Sequence, residues 1–555
     1  MMSNCRLDIL PVELIDDLFS YFSAHEIFYT FMNVSSYLDA VLITYSNYYV
    51  NFKSISKPNF DLICKHIVPD RVIGLILSND EDTPGLAELF LTYFQINQFT
   101  HLQSLTLFDI GPHLWENIIQ SMVELKNLRS FFYTQPSRIN SWISDITGFD
   151  LNQLDSRLFN IYGPILPQLC RLKLSHGDFL NSIQFPQLQH LILERSSVDI
   201  VKHISSVATR LKSLETKFEL DDSTTQFLYP LTQLKRLVLE IEGSNISMSH
   251  LEEMMSNLPR LKHLILIVNC NCDVVNGQRW QMIVQHLITF NFMFNLSVSL
   301  ESQDLDSFRT SFWLEEKHWF VACGRKNLYS VPHFYQTTVD EDFQFPLFST
   351  VSDNIIFYET INRLTLSSIS NNTNHYFPHV QTLGIDYPHC ISTLKSILDL
   401  CRVQHLVLNL SVKNFPVMYL LREMPNLCEI SIKKEMNIFL KRICSKKLKN
   451  IRRLTISESF INTSIYSIEK LSMIFPNIEH LHIYHTCSTT EMIDFLDRFK
   501  HLKTASFQYM PHYSNREEVQ KSCHNIRSVF DQIQCCQKLN FTYRFDKLSV
   551  HIWFS

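Results

Sequence analysis

Twenty-three histidines and fourteen cysteines are the side chains best suited here to hold a metal or move a proton. Zinc frameworks bring thiols and imidazoles together in closely spaced pairs. The nearest patterns are Cys270-Asn271-Cys272 and Cys535-Cys536, and neither has that spacing. No Cys-x-x-Cys occurs, and no His-x-x-x-His falls on a predicted helix beside a carboxylate. Many histidines share one slot instead: His190, His263, His405 and His480 each stand just before a leucine that begins an apolar alternation. A residue type repeated at one slot of a pattern is a structural choice before it is a catalytic one. Cys323 or His318, with carboxylates nearby, is the remaining place for nucleophilic chemistry. An activated thiol needs a positioned base and an electropositive setting, and no such context is legible around either residue. The scattered cysteines read as buried thiols of a reducing compartment. No catalytic residue, metal or cofactor is assigned, and the chain reads as a non-enzyme.

Glycine and charge exclude further classes. Ten glycines in 555 residues is far below the usual share of about 7%. Loops that cradle phosphate, and nucleophile elbows, need glycine for close backbone approach or positive φ. Neither G-x-G-x-x-G, G-x-x-x-x-G-K-[ST] nor G-x-S-x-G is present. A net charge of −6 over 49 basic and 55 acidic residues makes no general case for nucleic acid or an anionic membrane. One basic cluster, Lys446, Lys447, Lys449, Arg452 and Arg453, lacks the interleaved aromatics of a stacking platform and reads as a solvated face. The N-terminal MMSNCRLDIL lacks a signal-peptide pattern. No apolar run approaches the roughly 18 residues of a membrane span. A cytoplasmic or nuclear location is expected.

What positions these residues is a repeat. L-x-x-L-x-L recurs as Leu102-Leu105-Leu107, Leu169-Leu172-Leu174, Leu188-Leu191-Leu193, Leu234-Leu237-Leu239 and Leu261-Leu264-Leu266. It returns as Ile361-Leu364-Leu366 and continues through Leu383, Leu406, Ile430, Leu454, Leu481 and Ala505 as central residues, roughly 19 to 27 residues apart. That is the period of leucine-rich repeats, in which each unit is a strand plus a helical return and stacks on its neighbours. Predicted returns include Leu251 to Leu258 and Ile465 to Phe475, with Pro259, Pro378, Pro425 and Pro476 just before strands. The asparagine usual inside such repeats is poorly kept. Between Phe292 and Ile355 the pattern lapses into an aromatic-rich segment with Trp313, Trp319, Glu315-Glu316 and Asp340-Glu341-Asp342. Strands are predicted near Trp319 to Ala322 and Leu328 to Val331. Its aromatics suit either an interface or, with more weight, an irregular turn of core. The C-terminal Lys538 to Phe554 reads as two strands closing the last repeat.

Ahead of the repeats, Leu10 to Leu42 alternates apolar and polar residues with helical period. Leu14, Leu18 and Phe22 follow at i, i+4 and i+8, with Ile15 and Phe19 alongside. Pro11 suits a first helical position. Ser23 to Glu26 is a capping box, followed by Ile27, Phe28 and Phe31. Three short helices without a cysteine cannot enclose a core alone, so these residues read as half of an interface. The segment resembles an F-box in Leu10-Pro11 with Glu13-Leu14, in Leu18-Phe19 and Tyr21-Phe22, and in Ile27, although no tryptophan stands near its end. The resemblance implies a substrate-recognition subunit of a cullin-RING (SCF-type) ubiquitin ligase. Leu10, Pro11, Leu14, Ile15, Leu18, Phe19, Phe22, Ile27, Phe28 and Phe31 would bind a Skp-type adaptor and, through it, a cullin. The repeats would hold an unknown protein substrate on their concave strand face.

The expected fold is α/β: a three-helix F-box followed by an irregular leucine-rich-repeat solenoid (a horseshoe). The expected domains are 1–45 F-box, 46–68 linker and helical cap, 69–299 first array, 300–355 insertion, 356–537 second array and 538–555 capping strands. The alternative is a leucine-rich scaffold or inhibitor outside ubiquitination, whose N-terminal helices only cap the solenoid.

Overall fold

The computed structural model describes residues 7–80, 82–134, 165–177, 180–181, 183–220, 230–334, 337–339, 346–353, 355–366, 376–386, 390–409, 417–434, 436–443, 447–457, 465–486, 489–509, 528, 541–546 and 549–554. Cys535-Cys536, Asp340-Glu341-Asp342 and Lys446 lie outside them. The chain is α/β and built of irregular leucine-rich repeats, parallel strands with helical returns. It divides into two compact units, residues 1–334 with 346–351, and 335–345 with 352–555. The division falls inside the segment 300–355.

In the first unit, helices α1 (Val12–Phe19), α2 (Ala24–Phe31) and α3 (Ser36–Thr44) precede strand β1 (Tyr48–Asn51) and helix α4 (Lys57–His66). Strands β2 (Val72–Ser78), β3 (Ser104–Phe108), β4 (Ser130–Thr134), β5 (Arg171–His176), β6 (His190–Arg195), β7 (Ser213–Leu220), β8 (Arg236–Ile246), β9 (His263–Cys270) and β10 (Thr289–Leu296) follow. They lie side by side in chain order, all parallel. Register places Leu75, Leu105, Phe131, Leu172, Leu191, Leu214, Leu237, Leu264 and Phe290 in one row. All nine are buried. Each such side chain contributes about 1.5–3 kcal/mol of burial, realised only when the next coil covers it.

Beyond β10 the ladder reverses. β12 (Asn327–Val331) pairs antiparallel with β10 and with β11 (Phe320–Cys323). Of two two-residue strands, β13 (Thr338–Val339) and β14 (Phe348–Ser349), β14 pairs with β11, while β13 belongs to the sheet of the second unit. A 3₁₀ turn over Ser302–Phe308 and a π turn over Phe312–Glu316 precede the hairpin. Here the aromatics are core: Phe308, Phe312 and Trp313 are buried, and the Trp313 indole N–H donates to the Gly277 carbonyl at 3.1 Å. The Gly277 N–H donates to Ser307 Oγ at 2.8 Å, and a Cβ at 277 would collide with the Ser307 carbonyl. Only glycine allows that approach.

The second unit repeats the plan. Strands β15 (Arg363–Leu366), β16 (Thr382–Ile385), β17 (His405–Leu408), β18 (Glu429–Ile432), β19 (Arg453–Ile456), β20 (His480–Thr486) and β21 (Thr504–Tyr509) are parallel. Leu364, Leu383, Leu406, Ile430, Leu454, Leu481 and Ala505, the row spaced out in the sequence, are register partners and buried. Two antiparallel strands, β22 (Phe541–Asp546) and β23 (Ser549–Phe554), finish it, with β23 covering the edge of β21. Edge N–H and C=O groups that would otherwise stay open are paired there.

Two side-chain ladders tie coil to coil. The amides of Asn127, Asn426 and Asn477 donate to the carbonyls of Thr100, Cys401 and Lys449, one coil earlier, at 2.8 to 3.0 Å. The asparagine is therefore used just before the first leucine of the repeat rather than inside it. The recurring histidines form the second ladder. His263 Nδ1 meets Thr289 Oγ1 at 3.0 Å and His480 Nδ1 meets Thr504 Oγ1 at 2.9 Å, each on the neighbouring strand. Their repeated slot thus serves cross-strand pairing.

Candidate protein-docking surfaces

The three N-terminal helices have an inner and an outer face. Pro11 occupies the N-cap of α1, with ψ 150°, one residue ahead of the expected first helical position. Ser23 caps α2. The Glu26 carboxylate accepts its N–H at 2.8 Å and its hydroxyl at 2.6 Å, which holds the Glu26 carboxyl below its ordinary range. Ser35 caps α3 by accepting the Leu38 N–H at 3.2 Å, and Tyr37 Oη donates to the Leu10 carbonyl at 2.7 Å, fixing α3 to the start of α1.

Five of the ten expected adaptor contacts face inward. Ile15, Phe19, Ile27, Phe28 and Phe31 are buried in the chain's own core. Phe19 lies 5.1 Å from Phe31 and 5.3 Å from Tyr45, and Phe28 stacks on Tyr48 of β1 at 5.2 Å. Tyr48 Oη donates to the Leu42 carbonyl at 2.7 Å, and burial raises its phenol above the ordinary range. The inner face of α2, which an isolated trio of helices could not cover, is covered by β1 and α4, with His66 of α4 5.9 Å from Phe28. Leu10, Leu18 and Phe22 are half-buried, and Pro11 and Leu14 are exposed. Leu14, at 52% exposure, is joined by Ile9, Val12, Tyr21, Tyr29, Val34 and Ile43 as exposed apolar groups. Of these, only Leu14 is among the ten. The signal that distinguishes the two faces is the one-residue offset between Leu14-Leu18 and Ile15-Phe19, each pair at i, i+4 on its own stripe. Asp16 is half-buried, on the side of the inner stripe away from Leu14. Burial first, then Glu13 and Asp17, raise its carboxyl above the ordinary value.

The strand faces differ in chemistry. In the first unit Lys173 pairs with Glu194 at 3.2 Å, Lys217 with Glu240 at 2.7 Å and Glu242 at 2.8 Å, and Arg236 with Glu215 at 3.2 Å. Beyond them Ile265, Ile267 and Met293 are half-exposed. In the second unit the face centres on His405, whose Nε2 meets Ser431 Oγ at 2.8 Å. Burial, and then Arg363, Arg453 and Lys433, lower its pKa to about 4, outweighing Glu429 at 3.5 Å.

Among the described residues no three His, Cys, Asp or Glu side chains converge as a metal site. Cys270 is buried and Cys272 exposed, and burial raises the Cys270 thiol. Cys323 is fully buried and its thiol is also raised by burial, the opposite of an activated nucleophile. His318 Nδ1 lies 3.0 Å from the Leu314 carbonyl. Cys390 went unremarked in the sequence. It is exposed at the start of the helix Ile391–Ile397, and Ser392 and Thr393 lower its thiol to about 7. No helix among the described residues is long and apolar enough to cross a membrane.

No protein-family model matches the chain, and no curated protein matches it either. Among solved structures, the chain is similar to a leucine-rich-repeat protein of Leptospira interrogans. That match has 13% identity and a TM-score of 0.24, over 80% of this chain and 97% of the other. It is also similar to the Rad7–Elc1 complex of yeast, with 11% identity and a TM-score of 0.27, over 86% of each chain.

Proposed function

We propose that the protein is a substrate receptor of a cullin-RING (SCF-type) ubiquitin ligase. Residues 1–45 would dock a Skp-type adaptor and the repeats would carry a protein substrate. The observation that supports this reading most is the outer face of the helices. A segment with the L-P-x-E-L pattern commits one apolar stripe to the core and leaves Leu14 exposed on another, with Ile9, Val12 and Tyr21 also exposed in the same segment. Several large apolar groups left exposed in one short segment suit an interaction site. On this reading the contact set narrows to Leu10, Pro11, Leu14, Leu18 and Phe22, with Ile15, Phe19, Ile27, Phe28 and Phe31 acting as the support beneath. The chain contributes proximity rather than bond chemistry, raising the effective concentration of substrate lysines near a charged enzyme.

One observation favours the alternative of a leucine-rich scaffold with a helical cap. The inner face of α2 is spent on β1 and α4, where Phe28 packs on Tyr48 and His66, as a cap requires. Capture of the adaptor by the full-length protein, wild type against Leu10→Ala/Pro11→Ala and against Leu14→Ala, separates the two. Wild-type capture that the variants lose supports the receptor. A folded wild type that captures no adaptor leaves the scaffold.

A further inference from the structure

The cations of the first unit are not spread evenly around its coils. Each coil enters its strand through three slots: the residue before the first inward leucine, the residue after it, and the one that begins the strand. In the middle slot the N–H groups of Gln189, Lys212, Lys235, Lys262 and Ile288 each donate to the carbonyl of that slot one coil earlier, at 2.8 Å. Lys212, Lys235 and Lys262 therefore stand one beside the next, in steps of one strand spacing, about 4.8 Å. Arg210 and Arg260 flank them from the preceding slot, and Arg171 and Arg236 from the strand start. All of these but Arg236 are exposed.

Their partners do not neutralise them. Arg210 donates to Gln187 Oε1 at 2.9 Å, Lys212 to Gln189 Oε1 at 2.8 Å and Arg260 to Gln233 Oε1 at 2.8 Å, all neutral acceptors. Among the described residues, only Arg236 of this group reaches a carboxylate, Glu215. The strand glutamates of these coils stand further along, where Lys173 and Lys217 take up Glu194, Glu240 and Glu242, and Glu252, on the helix Met248–Ser256, pairs with Arg279. In the middle slot of the second unit, Glu479 stands between Arg452, at 3.1 Å, and Lys503, at 2.5 Å. That unit neutralises the slot from within; the first does not. His190 and His286 register the difference. Burial lowers both, helped by Arg171, Lys212 and Arg236 at one and by Lys262 and Lys317 at the other. This accumulation occurs in a chain whose net charge is −6.

We propose that the strand-start edge of coils β7 to β9 docks an acidic segment of a partner protein, held by Arg210, Lys212, Lys235, Arg260 and Lys262. Guanidinium forks match carboxylates in geometry, and an extended peptide offers a side chain about every 3.3 Å, dense enough to meet each coil. Nucleic acid fits less well. The three slots of these coils contain no Phe, Tyr or Trp on which a base could stack. The surface stands apart from the adaptor reading and does not depend on it.

The test uses the full chain and a fluorescently labelled oligoglutamate peptide, followed by anisotropy as salt is raised. Binding that weakens with salt is expected. It should fall at least about tenfold in Lys212→Gln/Lys235→Gln/Lys262→Gln and in Arg210→Gln/Arg260→Gln. Lys447→Gln/Lys449→Gln, on the second unit, should change nothing. Absence of peptide binding by the wild type, wild-type binding by both edge variants, or tighter binding of an oligouridine or of phosphatidylserine vesicles would overturn the proposal. Adaptor capture by the edge variants at the wild-type level keeps this outcome separate from any failure of the receptor reading.

Discussion

Leu14 and Phe19 make the sharpest pair of perturbations. They lie on the same helix, five residues apart, and the sequence gives both the same role. Phe19 is fully buried against Phe31 and Tyr45. Truncating such a residue to alanine typically costs about 3–5 kcal/mol. Leu14 is half in solvent, and a change there should stay within about 1 kcal/mol. Because 1.4 kcal/mol is tenfold in an equilibrium, Phe19→Ala should raise the local opening of α1–α3 by about a hundredfold or more. Hydrogen exchange read on peptides spanning Val12–Thr44 measures this directly. Phe19→Ala should lose protection across all three helices, and Leu14→Ala should keep it. Adaptor capture then runs the other way for information. Leu14→Ala should lose capture with its fold intact, by about 1–2 kcal/mol or more if it is an anchor, whereas loss in Phe19→Ala reports only the collapse beneath. Full protection in Phe19→Ala would refute the two-face assignment. Wild-type capture by Leu14→Ala would remove the outer stripe from the interface.

Two further outcomes follow from the titrating groups. His405 is held at about 4 when folded, against an ordinary value of about 6.5. The unfolded chain therefore takes up a proton first as pH falls. The stability contributed by neutral His405 is present above about pH 6.5 and is lost as pH falls through the window to about 4, amounting to about 3 kcal/mol. Urea unfolding at pH 7 and pH 4.5 should show a smaller pH difference in His405→Asn than in wild type; an equal difference would discard the assignment. Cys390, at about 7, should react with iodoacetamide at neutral pH well before Cys64, which burial raises to about 12. Peptide mapping of the alkylated protein reads the order directly, and faster labelling of Cys64 would contradict it.

The repeat was legible because its cause is local and periodic. A strand that buries alternate residues, followed by a return long enough to close one coil, writes L-x-x-L-x-L into the chain every twenty-odd residues. The register row from Leu364 to Ala505 could be laid out from spacing alone, as could the closing pair of C-terminal strands. The histidine slot was legible as structural for the same reason, although its threonine partners were not. What the spacing could not convey is what each stripe meets. Leu14-Leu18 and Ile15-Phe19 are both apolar and both helical, and only the packing of α1 against Phe31 of α2 and against Tyr45 decides which of them is core. The basic edge was hidden in a comparable way. Lys212, Lys235 and Lys262 are more than twenty residues apart, too far for a sequence window of about 11–18 residues to hold two of them. Coil stacking brings them to one strand spacing, while Glu240 and Glu242 are carried further along a strand and Glu252 onto a helix. Sequence determines the repeat because burial alternates within a few residues; contact between coils, and so the surface chemistry, is decided by the tertiary structure.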